Sequence, residues 1–156
     1  MITNYLGEVC VTYKYHTKLI DRPKISTCKD AFNVVKEFIT EDVVGLQEQF
    51  VVLYLNNAGK LIGTYPAFKG AITTTAVDLK IIAVTGVKLM ATQVIIAHNH
   101  PSGNMKPSNQ DLMLTKRLKD ALKLLEMDLI DHLILGPDNT YMSFSEENLL
   151  NKKQRL

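Results

Sequence analysis

The chain has 156 residues, 46% of them hydrophobic and 22% charged, with a net charge of +2 and two cysteines. That length suits one domain (residues 1–156) with a real core, and so small a net charge does not by itself imply nucleic acid or an anionic membrane as a partner. No apolar run reaches the roughly 18–20 residues of a membrane span, and Cys10 and Cys28 form no Cys-x-x-Cys, which points to reduced thiols in the cytoplasm.

The opening MITNYLGEVC has no basic segment followed by an apolar one, so no secretory signal is expected. Residues 8–16 alternate Val9, Val11, Tyr13 and Tyr15 with polar neighbours, which predicts a strand with His16 on its polar side. Asp21-Arg22-Pro23 reads as a turn or linker, closing an N-terminal section (1–25) before a core over 26–150. Thr27-x-x-Asp30 is a capping box, and Phe32, Val35 and Ile39 form one stripe of the helix it opens. Gln47 to Asn56 is apolar on both faces, as expected of a central strand. Asn57-Ala58-Gly59 then turns the chain into a partner strand from Lys60 to about Pro66. Glu48 stands where the central strand begins, and spacing alone does not select it over Glu37 or Glu41 as an acid–base residue. Ala71 to Thr75 reads as a short strand, and Thr75-x-x-Asp78 as the box that opens a helix to about Met90, in which Gly86 is an unfavourable residue.

Residues 92–111, TQVIIAHNHPSGNMKPSNQD, carry the chemistry. Val94 to Ala97 is a buried strand ending in His98-Asn99-His100, where residues two apart project from one face. Pro101 and Gly103 break the strand into a loop, and Pro107-Ser108 opens a helix with Asp111 in its first turn. Two histidines can simply cap a strand, and Ser108-x-x-Asp111 is itself a capping box. Together, however, they bring two imidazoles and a carboxylate to the carboxyl end of one strand, where open α/β sheets keep their sites. That ligand set, with a fourth position open, is the catalytic zinc pattern and lowers the pKa of a bound water to about 7.

The helix from Ser108 to about Glu126 has an apolar stripe at Leu114, Leu118, Ala121, Leu122 and Leu125. Its Lys116, Arg117, Lys119 and Lys123 read as a solvated face, with a nucleic-acid patch as the alternative. Leu129 to Leu135 is a strand in which His132 packs or hydrogen-bonds near the sheet, or else supports a metal ligand. Gly136 to Asn139 turns into a strand over 140–144, a final helix is expected from about Glu146 to Leu150, and residues 151–156 form a basic tail. Strands and helices alternate, which predicts one α/β domain with a mixed central sheet flanked by helices.

His98-x-His100 followed by Ser108-x-x-Asp111 resembles the JAMM signature of the Jab/MPN metalloproteases, and the run His-Asn-His-Pro-Ser-Gly resembles its RadC branch. The similarity extends to Glu48-Gln49-Phe50, Leu55-Asn56, Leu114 to Arg117 and Asp131-His132, over about residues 25–150. The resemblance implies a deaminase-like three-layer α-β-α fold, with zinc held by His98, His100 and Asp111. It also implies Glu48 as general base, Ser108 as a donor to the oxyanion, and a peptide or isopeptide bond in an unknown protein or peptide as substrate. Asn99 stands where deubiquitinating relatives carry Ser or Thr, which argues against ubiquitin-like substrates. RadC-type chains commonly carry a DNA-associated helix-hairpin-helix, for which the first 25 residues are too few and too strand-like. Two alternatives stand beside the hydrolase: a metal-dependent nuclease or DNA-repair accessory, and a zinc-binding interaction module without turnover. A zinc deaminase is excluded, because the His-x-Glu and Cys-x-x-Cys pieces it needs are absent. Ser102 lacks the glycine spacing of a nucleophile elbow and is read as a loop hydroxyl, and Lys106 as an exposed lysine with substrate contact as the alternative.

Overall fold

The apolar run after Glu48 becomes an interior strand of a five-stranded sheet. In a computed structural model that describes residues 18–69 and 77–151, β1 (Gln49–Leu55) is buried at all seven residues. Its unbroken hydrophobicity follows from its place: β2 (Leu61–Lys69) lies antiparallel on one side and β3 (Gln93–Asn99) antiparallel on the other. β4 (Asp128–Leu135) pairs parallel to β3, and β5 (Tyr141–Ser143) antiparallel to β4, for the order β2-β1-β3-β4-β5. The sheet is mixed, as alternation of strands and helices predicts.

Helices cover both faces. α1 (Cys28–Val35) and a single-turn α2 (Glu41–Val44) lie on one face, where Phe32, Val35 and Ile39 pack with Val51, Leu53, Ile95 and Leu133. α3 (Leu79–Lys88) and α4 (Asn109–Lys123) lie on the other, where Ile82, Leu114, Leu118 and Leu122 meet Phe50, Val52, Tyr54 and Ile96. Each such fully buried side chain contributes roughly 1.5–3 kcal/mol. The layers are therefore α-β-α.

The helix starts are local chemistry. Thr27 Oγ accepts from the Asp30 amide at 3.1 Å while Asp30 accepts from the Thr27 amide at 2.9 Å, closing the box that opens α1. α3 corrects its expected start: Asp78 is the capping residue itself, accepting from the Lys80 and Ile81 amides at 2.9 and 3.3 Å. Gly86 has a packing reason, since a Cβ there would stand 2.6 Å from Met127 Sδ, so its small size lets α3 press onto the core.

Two further expectations are corrected. Leu125 leaves the stripe of α4 and is 45% exposed, because the helix ends at Lys123 and Glu126 adopts a positive φ of 58°. No helix forms over 146–150, where the chain makes a series of turns and Asn148, at φ 55°, stops right-handed winding. The readings of a strand over 8–16 with Cys10 and His16, a strand over 71–75, Thr75, and the tail beyond Asn151 fall outside the described residues. Among the described residues no helix is long and apolar enough to cross a membrane.

Candidate metal centre

Alternation along β3 fixes what faces what. Val94 and Ile96 point to the α4 side and Ile95 and Ala97 to the α1 side, so His98 and His100 face α4 and Asn99 faces away. α4 begins where this strand ends. Its cap, Ser108, accepts from the Asp111 amide at 3.1 Å, while Asp111 Oδ2 accepts from the Ser108 amide at 2.7 Å and from its hydroxyl at 2.6 Å. The same box that starts the helix aims Asp111 at the histidines. His98 Nε2 lies 3.2 Å from Asp111 Oδ1, and His100 Nε2 lies 3.5 Å from Oδ2. His98 and Asp111 are 1% and 3% exposed.

Hydrogen bonding assigns the protons of both rings. The Thr115 hydroxyl donates to the Asp111 carbonyl at 2.6 Å, so toward His132 Nδ1, also at 2.6 Å, it can only accept. His132 therefore carries its proton on Nδ1 and offers Nε2 as acceptor to His98 Nδ1, 2.8 Å away. Burial pushes the His132 pKa well below its ordinary value, which keeps the ring neutral as this chain requires. His100 Nδ1 donates to the Asn104 carbonyl at 2.6 Å. In their neutral forms both ligand-bearing rings thus turn a bare Nε2 inward.

Those two Nε2 atoms stand 2.9 Å apart. Two lone pairs and a carboxylate at this range repel unless a cation lies among them. Bond lengths of about 2.0–2.1 Å in a tetrahedron place ligand atoms about 3.3 Å apart, and the separations of 2.9, 3.2 and 3.5 Å bracket that value. The donor set fits a zinc-like ion, with Oδ1 of Asp111 the freer oxygen because Ser108 occupies Oδ2. The carboxyl is tuned for it. Burial pushes the Asp111 pKa up, but His100, His98 and Ser108 outweigh it and hold the group well below the usual carboxylate range. Asp111 in turn raises the His100 pKa against the opposing effect of burial, with the Asn104 carbonyl and the charge of Glu48 adding to it.

Glu48 enters from β1. The antiparallel register pairs Phe50 with His98, and continued two residues back it sets Glu48 opposite His100. Its half-buried side chain lines a cleft of about 360 Å³ together with His98, His100, Lys106, Ser108 and Asp111. Glu37 and Glu41 lie elsewhere: neither lines this cleft, and Glu41 accepts from Asn139 at 3.0 Å beside α2. Ser102 also lines the cleft, as a loop hydroxyl accepting from the Asn104 amide at 3.3 Å. Reasoning from sequence missed Thr115 and Asn104. Thr115 had a signal, a polar residue four after Asp111 on the buried side of α4, whereas Asn104 acts through its backbone, which no side-chain pattern reveals.

A family model described as RadC-like JAB domain matches residues 25–149. The chain belongs to the RadC-like JAB domain family. It is 40% identical over 129 residues to a UPF0758 protein of Porphyromonas gingivalis, covering 83% of this chain and 56% of that protein. A UPF0758 protein of Flavobacterium johnsoniae is 39% identical over 126 residues (81% and 53%), and one of Aquifex aeolicus 40% over 129 (83% and 54%). The chain spans about half the length of these curated relatives. Family membership agrees with the α-β-α architecture and with a side-chain cluster at the end of β3 that could hold a metal ion.

Proposed function

We propose that this RadC-like chain is a zinc-dependent hydrolase of amide bonds, peptide or isopeptide. The observation that carries the reading is the pair of bare Nε2 atoms 2.9 Å apart beside Asp111, with Glu48 lining the same cleft. Zinc bound by His98, His100 and Asp111 supplies Lewis acidity, which brings the pKa of a water to about 7 and polarises a carbonyl.

The chain's own residues do the rest. Glu48 accepts a proton from the attacking water as the new C–O bond forms, and returns it to the amine nitrogen as the C–N bond breaks. Ser108 serves the developing oxyanion. Its hydroxyl hydrogen points to Asp111 Oδ2, and rotation about Cβ–Oγ redirects it to substrate while Oγ keeps its bond from the Asp111 amide. Thr115 and His132 hold the His98 ring in its ligating tautomer, and Asn104 does so for His100.

Three of the four basic residues of α4 have partners within the chain, and Arg117 is exposed. Lys116 pairs with Asp120 at 2.8 Å, Lys123 with Asp128 at 3.2 Å, and Lys119 donates to the Leu150 carbonyl and to Asn151. The deciding experiment measures zinc content of the purified protein and screens a peptide and isopeptide library by mass spectrometry. About one zinc per chain is expected, with cleavage that is lost on chelation and restored by zinc. No zinc after its supply overturns the metal centre, and zinc without cleavage of any amide leaves an interaction module.

A further inference from the structure

We propose that Asn99, between the two histidines, is a positioning residue that holds Glu48 over the metal centre by clamping the backbone on both sides of it. The inference rests on the assignment of Glu48 as general base. Asn99 is 0% exposed and faces away from His98 and His100. Its Nδ2 donates to the Val44 carbonyl at 2.7 Å and to the Gln47 carbonyl at 2.9 Å, and its Oδ1 accepts from the Gln49 amide at 2.7 Å. Both amide donors and the acceptor are thus spent on residues 44, 47 and 49, immediately around Glu48.

The segment needs such an anchor. Gly45, Leu46 and Gln47 are exposed, Leu46 at 79%, and no atom lies within 4 Å of a Cβ built on Gly45. The Leu46 and Gln47 amides donate only back to the Val43 carbonyl, which shapes the turn without tying it to the sheet. Asn99 supplies that tie. The Gln49 bond stands where the β1–β3 ladder would continue past Phe50 and His98, with a side chain in place of a backbone carbonyl. One strand therefore presents metal ligands on one face and the fixing point of the acid–base residue on the other. A serine is too short to span the same three groups, and an aspartate would set a carboxylate against two carbonyl oxygens.

The test uses the zinc-loaded 156-residue chain with Asn99→Ala and Asn99→Asp, beside Glu48→Gln. Zinc content should stay at about one per chain in all three. In ¹⁵N relaxation, order parameters of residues 45–48 should fall from about 0.85 to below about 0.6 in both Asn99 variants, with Val51 to Leu55 unchanged. On a peptide that the wild type cleaves, kcat should fall at least about 10²-fold with KM within twofold. Asn99→Ala combined with Glu48→Gln should be no more than about twofold slower than Glu48→Gln alone, as for two residues in one unit. Loss of zinc together with activity, unchanged order at 45–48, or additive losses in the double variant would each overturn the clamp. If both variants fail to fold, the wild-type Gln49 amide decides: exchange as slow as that of Val51 supports the clamp, and exchange as fast as that of Leu46 refutes it. If the wild type cleaves nothing, the hydrolase reading fails, and the relaxation and exchange results still decide whether Asn99 holds the turn.

Discussion

At the scale of single residues, each member of the centre is governed by groups that it touches. Glu48 has the cleft position of a general base without being placed among the ligands. Glu48→Gln should therefore keep zinc at full occupancy and lower hydrolysis at least about 10²-fold. Glu37→Gln and Glu41→Gln should leave the rate within about twofold, as both stand away from the cleft. Parallel zinc analysis and rate measurement check this, and loss of zinc from Glu48→Gln would make it a ligand instead. Protons give a second prediction. Asp111 raises the His100 pKa, and a proton on His100 competes with the metal for Nε2. Above the raised value His100 is neutral and zinc affinity should be flat; below it affinity should fall by about tenfold per pH unit for one displaced proton. Asp111, held below the usual carboxylate range, adds no competition there. Chelator-competition titrations at a series of pH values check the slope, and a flat affinity through the histidine range would contradict it.

At the scale of elements, the first turn of α4 serves two purposes at once. The capping box needs an acceptor at position 111, and the proposed metal would need a charge there. Asp111→Asn keeps an acceptor, so unfolding free energy should change by under about 1 kcal/mol, while zinc affinity should collapse. Calorimetry beside a zinc titration separates the two, and equal affinity would reduce Asp111 to a cap. One turn later Thr115 links α4 to β4 through His132. Thr115→Val removes the hydroxyl that accepts the His132 proton, and zinc affinity should fall by about 10–100-fold, as for other groups that orient a metal ligand. Wild-type affinity in that variant would show that the His98 tautomer needs no such support.

Across the whole molecule, stability and chemistry sit in different places. Two apolar layers on either side of the sheet hold the fold, and the centre occupies the rim where β3 gives way to α4. Leu118, fully buried in the α4 layer, illustrates the separation. Leu118→Ala should destabilise the protein by about 2–5 kcal/mol and leave zinc stoichiometry unchanged below the lowered melting temperature. Thermal unfolding with metal analysis checks both halves, and loss of zinc in the folded variant would mean that the centre depends on the packing beneath it.

The sequence by itself determined whatever depends on neighbours a few residues apart. The unbroken apolar run of β1, the boxes at Thr27 and Ser108, and the two-residue spacing of His98 and His100 are local patterns with local physical causes. Family resemblance pointed to Glu48 where spacing left Glu37 and Glu41 open, and the folded chain brings Glu48 into the cleft of His98 and His100 while Glu37 and Glu41 stand outside it. Only the tertiary structure decided the supporting partners. Thr115 and His132 lie 17 residues apart, and Asn99 and Gln49 lie 50 apart, so no pattern along the chain joins them. The expected helix after Ser145 is a series of turns instead, tied at its start to Asp131 of β4, which accepts from the Ser145 amide. Short-range hydrogen bonding and side-chain periodicity are written into the chain, whereas a buried polar side chain is satisfied by whatever group folding brings within about 3 Å of it.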